Sequence, residues 1–206
     1  SRSTTSHILT LRRVLEEAKN HNLAAVLVFI DFKKAFDSVH RGTLMKILRA
    51  YGIPNEIVVL IEKLYTNTKA QVLTPEGLTE LFDIMAGVLQ GDTLAPYLFI
   101  IVVDYCMKLA MEKHPDIGFT LKPARSKRHK AIKLSDIEFA DDIALLANCT
   151  TDAQTLLHTV EEIAASVGLR MNESKTKYMT EGNIVGDIVS LTGENIEKVD
   201  DFVYLG

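Results

Sequence analysis

The sequence predicts an α+β fold, an antiparallel sheet backed by helices. Short apolar runs of strand length, Ala24 to Ile30 and Ile143 to Ala147, are separated by stretches whose apolar residues recur at helical spacing. The order along the chain is helix, strand, helices, hairpin, helix, hairpin, helix, strands. This lacks the regular βαβ alternation of a parallel sheet. The 206 residues are 47% hydrophobic, enough for a core in one domain or one and a half. Helices gathered on one face would leave the other face of the sheet free for a ligand.

Each element has its own signal. Ile8, Leu11 and Leu15 predict a helix after Thr4 or Thr5 as cap. Ala24 to Ile30 is apolar throughout and ends in β-branched and aromatic residues, which predicts a strand covered on both faces. Leu44, Ile47, Leu48 and Tyr51 fall at i, i+3, i+4 and i+7, a helix that Gly52 and Pro54 stop. Ile57, Leu60, Ile61 and Leu64 repeat the spacing in a second helix and form its expected buried stripe. Gln71 to Leu73, the turn Thr74-Pro75-Glu76-Gly77 and Leu81 to Met85 read as a hairpin.

A long apolar helix follows, from about Ala95 to Lys113, with Pro96 in its first turn where a missing N–H costs nothing. Ile132 to Phe139 and Ile143 to Ala147 are two strands joined at an aspartate pair. Thr151 and Gln154 have the spacing of a capping box. Leu156, Val160, Ile163 and Val167 are the buried stripe of the helix that this box opens, and Gly168 ends it. The tail from Lys175 is strand-like, and Phe202 to Gly206 reads as a strand in progress.

The net charge of −4 argues weakly against a free-standing nucleic-acid binder, although local charge matters more than the sum. Cys106 and Cys149 have no metal-ligand spacing and form no disulfide framework, which fits a reducing, intracellular compartment. The longest apolar run, Tyr97 to Val103, is too short to span a bilayer, so no membrane partner is expected. The chain reads as an internal piece of a larger protein, since its first residue is not Met.

The chemistry centres on three carboxylates. Asp141 and Asp142 stand side by side within the apolar stretch Ile137 to Ala147, and Asp31 ends the run Ala24 to Ile30. Buried carboxylates cost several kcal/mol unless paired, and a group of them repels itself unless a cation intervenes. Successive strand residues point to opposite faces, so two adjacent aspartates converge only at a turn. Neighbouring strands lie about 5 Å apart, which lets Asp31 join them. Magnesium suits such a site, because it takes a few carboxylates together with waters and substrate phosphates. The pattern predicts a two-metal phosphoryl-transfer site. The plainer readings are a polar hairpin tip for the pair and a helix cap for Asp31.

The motifs, taken in order, resemble those of a known family. Asp31-Phe32-Lys33-Lys34-Ala35-Phe36-Asp37-Ser38-Val39 resembles the first palm motif of reverse transcriptases from non-LTR retrotransposons. Gly87-Val88-Leu89-Gln90-Gly91-Asp92-Thr93-Leu94-Ala95-Pro96 resembles the second, and Phe139-Ala140-Asp141-Asp142 the third. Gly168-Leu169-Arg170-Met171-Asn172 with Lys175-Thr176-Lys177 resembles the fourth. Phe202-Val203-Tyr204-Leu205-Gly206 resembles the start of the primer grip, and Arg2-Ser3-Thr4-Thr5 the end of a fingers motif. The resemblance departs at Thr93 and Ala86, where many relatives carry proline and a basic residue.

The resemblance implies a polymerase palm with partial fingers. Residues 24–53 and 87–206 would be palm, and residues 1–23 and 54–86 partial fingers. The implied activity is RNA-directed DNA synthesis, with an RNA template, a DNA primer and deoxynucleotides as partners. Nucleus and cytoplasm are not separated by it. Asp31, Asp141 and Asp142, with the carbonyl of Phe32, would hold two Mg2+ ions, or Mn2+ in their place. Phe36 would be a steric gate against a 2′-OH, and Gln90 and Gly91 would border the incoming nucleotide. Lys175 would protonate the leaving pyrophosphate. Phe36 reads equally as core packing, Lys175 as a solvated lysine, and Asp37 as an N-cap for the helix after Val39.

Lys122, Arg125, Lys127, Arg128, Lys130 and Lys133 form a basic cluster suited either to template or primer phosphates or to a solvated loop. The competing functions are another palm-type enzyme, an RNA polymerase or nucleotide cyclase, and a non-catalytic nucleic-acid-binding palm from a decayed or domesticated element.

Overall fold

A computed structural model of the chain describes residues 4–89, 91–124, 126 and 131–205. Arg2, Ser3, Gln90, Arg125, Lys127, Arg128, Lys130 and Gly206 lie outside the described residues. Helix α1 (Thr4–Asn20) leads into strand β1 (Ala25–Ile30). Then come α2 (Ala35–Ser38), α3 (Arg41–Ala50) and α4 (Asn55–Tyr65). A ribbon of short strands follows: β2 (Lys69–Ala70), β3 (Leu73–Thr74), β4 (Gly77–Leu78) and β5 (Phe82–Asp83). Helix α5 (Ala95–Lys113) precedes β6 (Phe119–Lys122), β7 (Ile132–Leu134), β8 (Asp136–Phe139) and β9 (Asp142–Ala147). Helix α6 (Thr150–Ser166), β10 (Lys177–Glu181) and β11 (Glu197–Lys198) complete the order.

The central sheet runs β11-β10-β1-β9-β8, antiparallel except where β11 joins β10. All six residues of β1 are buried, as its uninterrupted apolar run predicts. Their alternation divides the interior. Val26, Val28 and Ile30 face a large core with α3, α5 and α6, where Leu44, Phe99 and Leu156 are fully covered. Ala25, Leu27 and Phe29 face a smaller cluster built with Leu11, Val14 and Ala18 of α1. The second face is therefore not wholly free. Helix α1 covers part of it, with Leu11, Val14 and Ala18 in one cluster with Ala25, Leu27 and Phe29 and with His7 edge-on to Phe139. Each fully buried large apolar side chain contributes about 1.5–3 kcal/mol, so β1 holds both clusters to one sheet.

Four local expectations are corrected. In α4 the buried residues are Val58, Ile61 and Tyr65, while Ile57, Leu60 and Leu64 are 47%, 60% and 62% exposed. Both triplets have helical spacing, and a long-range contact chooses between them. The Arg41 guanidinium lies 5.1 Å from the centre of the Tyr65 ring and donates to the Tyr65 carbonyl. Second, the Thr151–Gln154 capping box does not form. Cys149 is the N-cap of α6, and Gln154 pairs with both backbone groups of Val189. Third, His40, not Asp37, caps α3: its Nδ1 accepts from the Thr43 N–H at 3.2 Å. Asp37 lies within α2. Fourth, residues 202–205 are not a strand. Phe202 instead stacks on Phe29, with ring centres 4.3 Å apart, and Tyr204 lies 5.6 Å from the same ring.

Candidate active site

The register of β1 against β9 builds the site. Ile30 faces Ile143, so the next pair outward is Asp31 and Asp142. Directly opposed residues of an antiparallel pair stand about 4.5–5.5 Å apart at Cβ. Asp31 continues the Leu27–Phe29 face and Asp142 the Leu146–Ala144 face, so both fall on the same side of the sheet. Both line one cleft of about 200 Å³ with Lys175, Phe29, Phe202 and Tyr204. Asp141 is exposed on the turn beside them.

That turn is strained. Phe139 pairs with Asp142, leaving Ala140 and Asp141 as the two-residue connection, and Ala140 has φ +56°. A non-glycine residue there costs roughly 1–2 kcal/mol. Ala140→Gly should stabilise the fold by about 1 kcal/mol, read as a higher midpoint in urea unfolding. A lowered midpoint would show that the turn is unstrained.

The electrostatics suit a cation. Burial pushes the Asp142 carboxyl above its ordinary value, and the neighbouring Asp141 and Asp31 charges push it the same way. Asp31 Oδ2 is buried without a hydrogen-bond partner. An orphaned carboxylate oxygen beside a second repelled carboxylate fits a divalent ion. Among the described residues no three His, Cys, Asp or Glu side chains form a ready-made metal cage. Magnesium does not need one, because it keeps waters and substrate oxygens in its shell.

Asp31 is held from outside its own strand. Its N–H donates to Thr176 Oγ1 at 3.2 Å, and its carbonyl accepts from the Asn172 N–H at 2.8 Å. The Lys33 N–H donates to the Arg170 carbonyl at 2.8 Å, completing an antiparallel bridge between Phe32 and Met171. The 172–176 turn is thereby fastened to Asp31 on both sides, which brings Lys175 to the cleft. The Thr176 hydroxyl escaped the sequence reading, since its partner is 145 residues away.

Phe36 is half-buried and stacks on Phe99, with centres 4.4 Å apart and planes 19° apart. Its carbonyl accepts from the Val88 N–H at 2.7 Å, which seats the Gly87–Leu89 segment against α2. Gly91 is exposed at φ +90°, and a Cβ there would meet nothing within 4 Å. Its glycine answers to backbone conformation and open space, not to protein packing. Asp92 accepts from the Leu94 N–H at 3.1 Å just before α5.

Arg41 was also missed. It donates to the carbonyls of Gly87, Tyr65 and Ile84 and to Thr68 Oγ1, at 2.8–2.9 Å. One guanidinium thus ties α3, α4, the ribbon and the Gly87 segment together. Its partners come from distant segments, so no local pattern announces it.

The chain is similar to the Retrovirus-related Pol polyprotein from type-1 retrotransposable element R2 of Popillia japonica, 28% identical over 97% of the chain and 32% of that protein. It is 29% identical to the type-2 element R2DM polyprotein of Drosophila melanogaster, over 79% of the chain and 14% of that protein. The chain therefore spans a third or less of these relatives. Among solved structures, telomerase from Candida tropicalis in complex with a fragment of telomeric RNA shares the fold. Its TM-score is 0.59 at 15% identity, over 96% of this chain and 33% of that one. The truncated apo telomerase of the same organism gives a TM-score of 0.60 at 15% identity, over 91% of this chain and 37% of that one. The family model for reverse transcriptase (RNA-dependent DNA polymerase) matches residues 2–206. Paired aspartates at opposed strand ends, the motif order and this match over almost the whole chain agree, and the chain belongs to the reverse transcriptase family.

Proposed function

We propose that this chain is the catalytic palm, with part of the fingers, of an RNA-directed DNA polymerase of the non-LTR retrotransposon kind. It would extend a DNA primer on an RNA template with deoxynucleotides. The carrying observation is the opposition of Asp31 and Asp142 across a cleft that also contains Lys175. Asp31, Asp142 and Asp141 would hold the metal ions, Mg2+ or Mn2+, which when bound activate the primer 3′-OH and neutralise charge on the departing phosphate.

The chain's own residues do the rest. Asp31 and Asp142 fix where the reacting phosphate lies, in the cleft that they line. Lys175 stands ready to donate a proton at Nζ to the leaving group. Phe36, stacked on Phe99, would be the ring that leaves no room for a 2′-OH. Gly91 lets backbone approach the incoming nucleotide, with Gln90 beside it. Helix α1 and residues 54–86 would be the fingers contribution.

The test is primer extension on an RNA template by the polymerase that contains this chain, wild type beside Asp141→Ala and Phe36→Ala. Asp141→Ala should abolish extension. Equal activity in both would end the catalytic assignment. Phe36→Ala should raise ribonucleotide use relative to deoxynucleotide use by about tenfold or more, and an unchanged ratio would remove Phe36 from sugar selection.

A further inference from the structure

Arg41 is a half-buried cation that no carboxylate neutralises among the described residues. Burial pushes its pKa below the ordinary value, and the Tyr65 side chain pushes it the other way. Its Nη2 is buried without a hydrogen-bond partner. A charge held only by neutral acceptors is a costly way to join segments, and well-packed apolar residues often stabilise as much or more. Apolar residues cannot do one thing that a guanidinium does. Its donors lie in one rigid plane, so the backbones that accept from it are fixed relative to one another.

The backbones so fixed come from two places. On one side, Arg41 Nη1 meets the Tyr65 carbonyl, the Ile84 carbonyl and Thr68 Oγ1, each at 2.8 Å. The Thr68 hydroxyl donates on to the Ile84 carbonyl at 3.0 Å, and the Ile84 N–H returns to the Thr68 carbonyl at 2.9 Å. The base of the β2–β5 ribbon thus closes on itself and on Arg41. On the other side, Arg41 Nε donates to the Gly87 carbonyl at 2.9 Å.

Gly87 begins a seat for the next turn. Its N–H donates to the Val39 carbonyl at 2.8 Å, and the Val88 N–H to the Phe36 carbonyl at 2.7 Å. The Leu89 carbonyl then accepts from the Asp92 N–H at 3.1 Å, across the turn that contains Gly91. Met85 and Ala86, the covalent link between ribbon and seat, are both exposed, so packing does not fix them. Asp31 is held separately, by Thr176 and Asn172, through bonds in which Arg41 takes no part.

We propose that Arg41 is a positioning residue for the incoming nucleotide, locking the base of the ribbon to the Gly87–Leu89 seat so that the state of the ribbon sets nucleotide affinity at the Gly91 turn. The nucleotide role rests on the polymerase reading, whereas the lock between ribbon and seat stands without it. Because the carboxylates have their own supports, Arg41 acts on nucleotide binding and not on the chemical step.

Amide hydrogen exchange on the chain without substrate tests the lock. Arg41→Lys keeps the charge but loses the fork, and should speed exchange of the Gly87 and Val88 amides about tenfold or more. The Asn172 amide, bonded to Asp31, should keep its rate. Thr68→Val should speed the same two amides about threefold, and Thr68→Ser should restore them. In the Arg41→Lys background Thr68→Val should add nothing further, since the bond it removes is already lost. Unchanged Gly87 and Val88 amides would overturn the lock, and so would full addition of the two changes. Equal acceleration at Asn172 would mean general loosening and would overturn it too. If Arg41→Lys does not fold, the Thr68 pair decides alone.

Primer extension by the polymerase containing the chain tests the role. Arg41→Lys should raise the KM for deoxynucleotide about tenfold with kcat within about twofold of wild type. A fall in kcat at unchanged KM, or no change in either, would overturn the nucleotide role. Full extension by Asp141→Ala would sink the polymerase reading and leave the exchange result standing.

Discussion

Asp142→Asn should lower nucleotide incorporation by roughly a thousandfold while leaving the metal-free chain at least as stable as wild type. The two effects have opposite signs because one group serves both. Burial, Asp141 and Asp31 all oppose ionisation of Asp142 in the folded chain. Folding therefore raises its pKa above the ordinary 3.8. The folded chain holds that proton to higher pH than the unfolded chain does. The stability contribution is fully present below about pH 3.8 and is lost as pH rises through the raised folded value. At neutral pH the carboxylate is a destabilising charge, and asparagine removes it.

The same charge is what a divalent cation would use. Preorganised electrostatic groups at a reacting centre are worth about 10²–10³ each in rate, and a metal-holding carboxylate falls at the upper end. Melting curves between pH 4 and 7, with and without Mg2+, separate the two roles. In wild type, Mg2+ should raise the midpoint at pH 7 and do little near pH 4. A ligand at a hundred times its Kd stabilises the state that binds it by about 2.7 kcal/mol. In Asp142→Asn both the Mg2+ effect and the pH dependence should shrink. A variant that melts well below wild type without metal would show that Asp142 is structural, and retained incorporation would show that it is not catalytic.

Much of this site was legible because it sits at strand ends. Asp31 closes an apolar run and Asp142 opens one, and each run is buried on both faces. Central strands tolerate little else, so their polar ends mark the sheet's edge. The long helix from Ala95 to Lys113 was legible for a related reason: Pro96 and the apolar run fixed both its start and its type. The rest needed information that no local window contains. The face that α4 buries depends on Arg41 reaching Tyr65, 24 residues away. Gln154 has the spacing of a cap residue, yet the backbone of Val189, 35 residues on, takes its amide.

The gathering of Lys33, Lys34 and Arg170 around one groove is the strongest case. Lys33 and Lys34 read as part of a motif, and Arg170 as part of another. Their convergence depends on the Phe32–Met171 bridge between segments about 140 residues apart. The primer-grip segment shows the reverse. Its alternating apolar residues predict a strand, but the rings of Phe202 and Tyr204 pack on Phe29 instead. Stacking of aromatic rings on Phe29 holds this segment where strand pairing does not.

Gly168→Ala should cost about 4 kcal/mol or more, at the glycine whose added Cβ would come nearest another backbone atom among the described residues. Gly168 has φ +95°, and a Cβ built there would lie 2.3 Å from the Ser38 carbonyl oxygen and 3.0 Å from the His40 nitrogen. Neither neighbour is a flexible side-chain end. The His40 N–H donates to the Val167 carbonyl at 2.8 Å, so the two backbones are bonded where the methyl would enter. On the opposite side, a Cβ on Gly87 would lie 2.6 Å from the Asp37 Cα, and the Gly87 N–H donates to the Val39 carbonyl at 2.8 Å.

The 36–40 segment, which includes Phe36, is thus approached closely by two glycines. Positive φ alone costs an alanine roughly 1–2 kcal/mol. A backbone clash that cannot relax supplies the remainder and reaches the range that marks a specific mechanism. Gly91→Ala is the control: its φ is +90°, but nothing lies within 4 Å of the added carbon. It should lose only the conformational part. For a domain of this size, 4 kcal/mol corresponds to a fall of roughly 8–16 °C in Tm. Equal melting temperatures for Gly168→Ala and Gly91→Ala would mean that the turn yields to the methyl and the clamp does not exist. A large gap between them would show that the close approach of Gly168 to the Ser38–His40 backbone cannot relax.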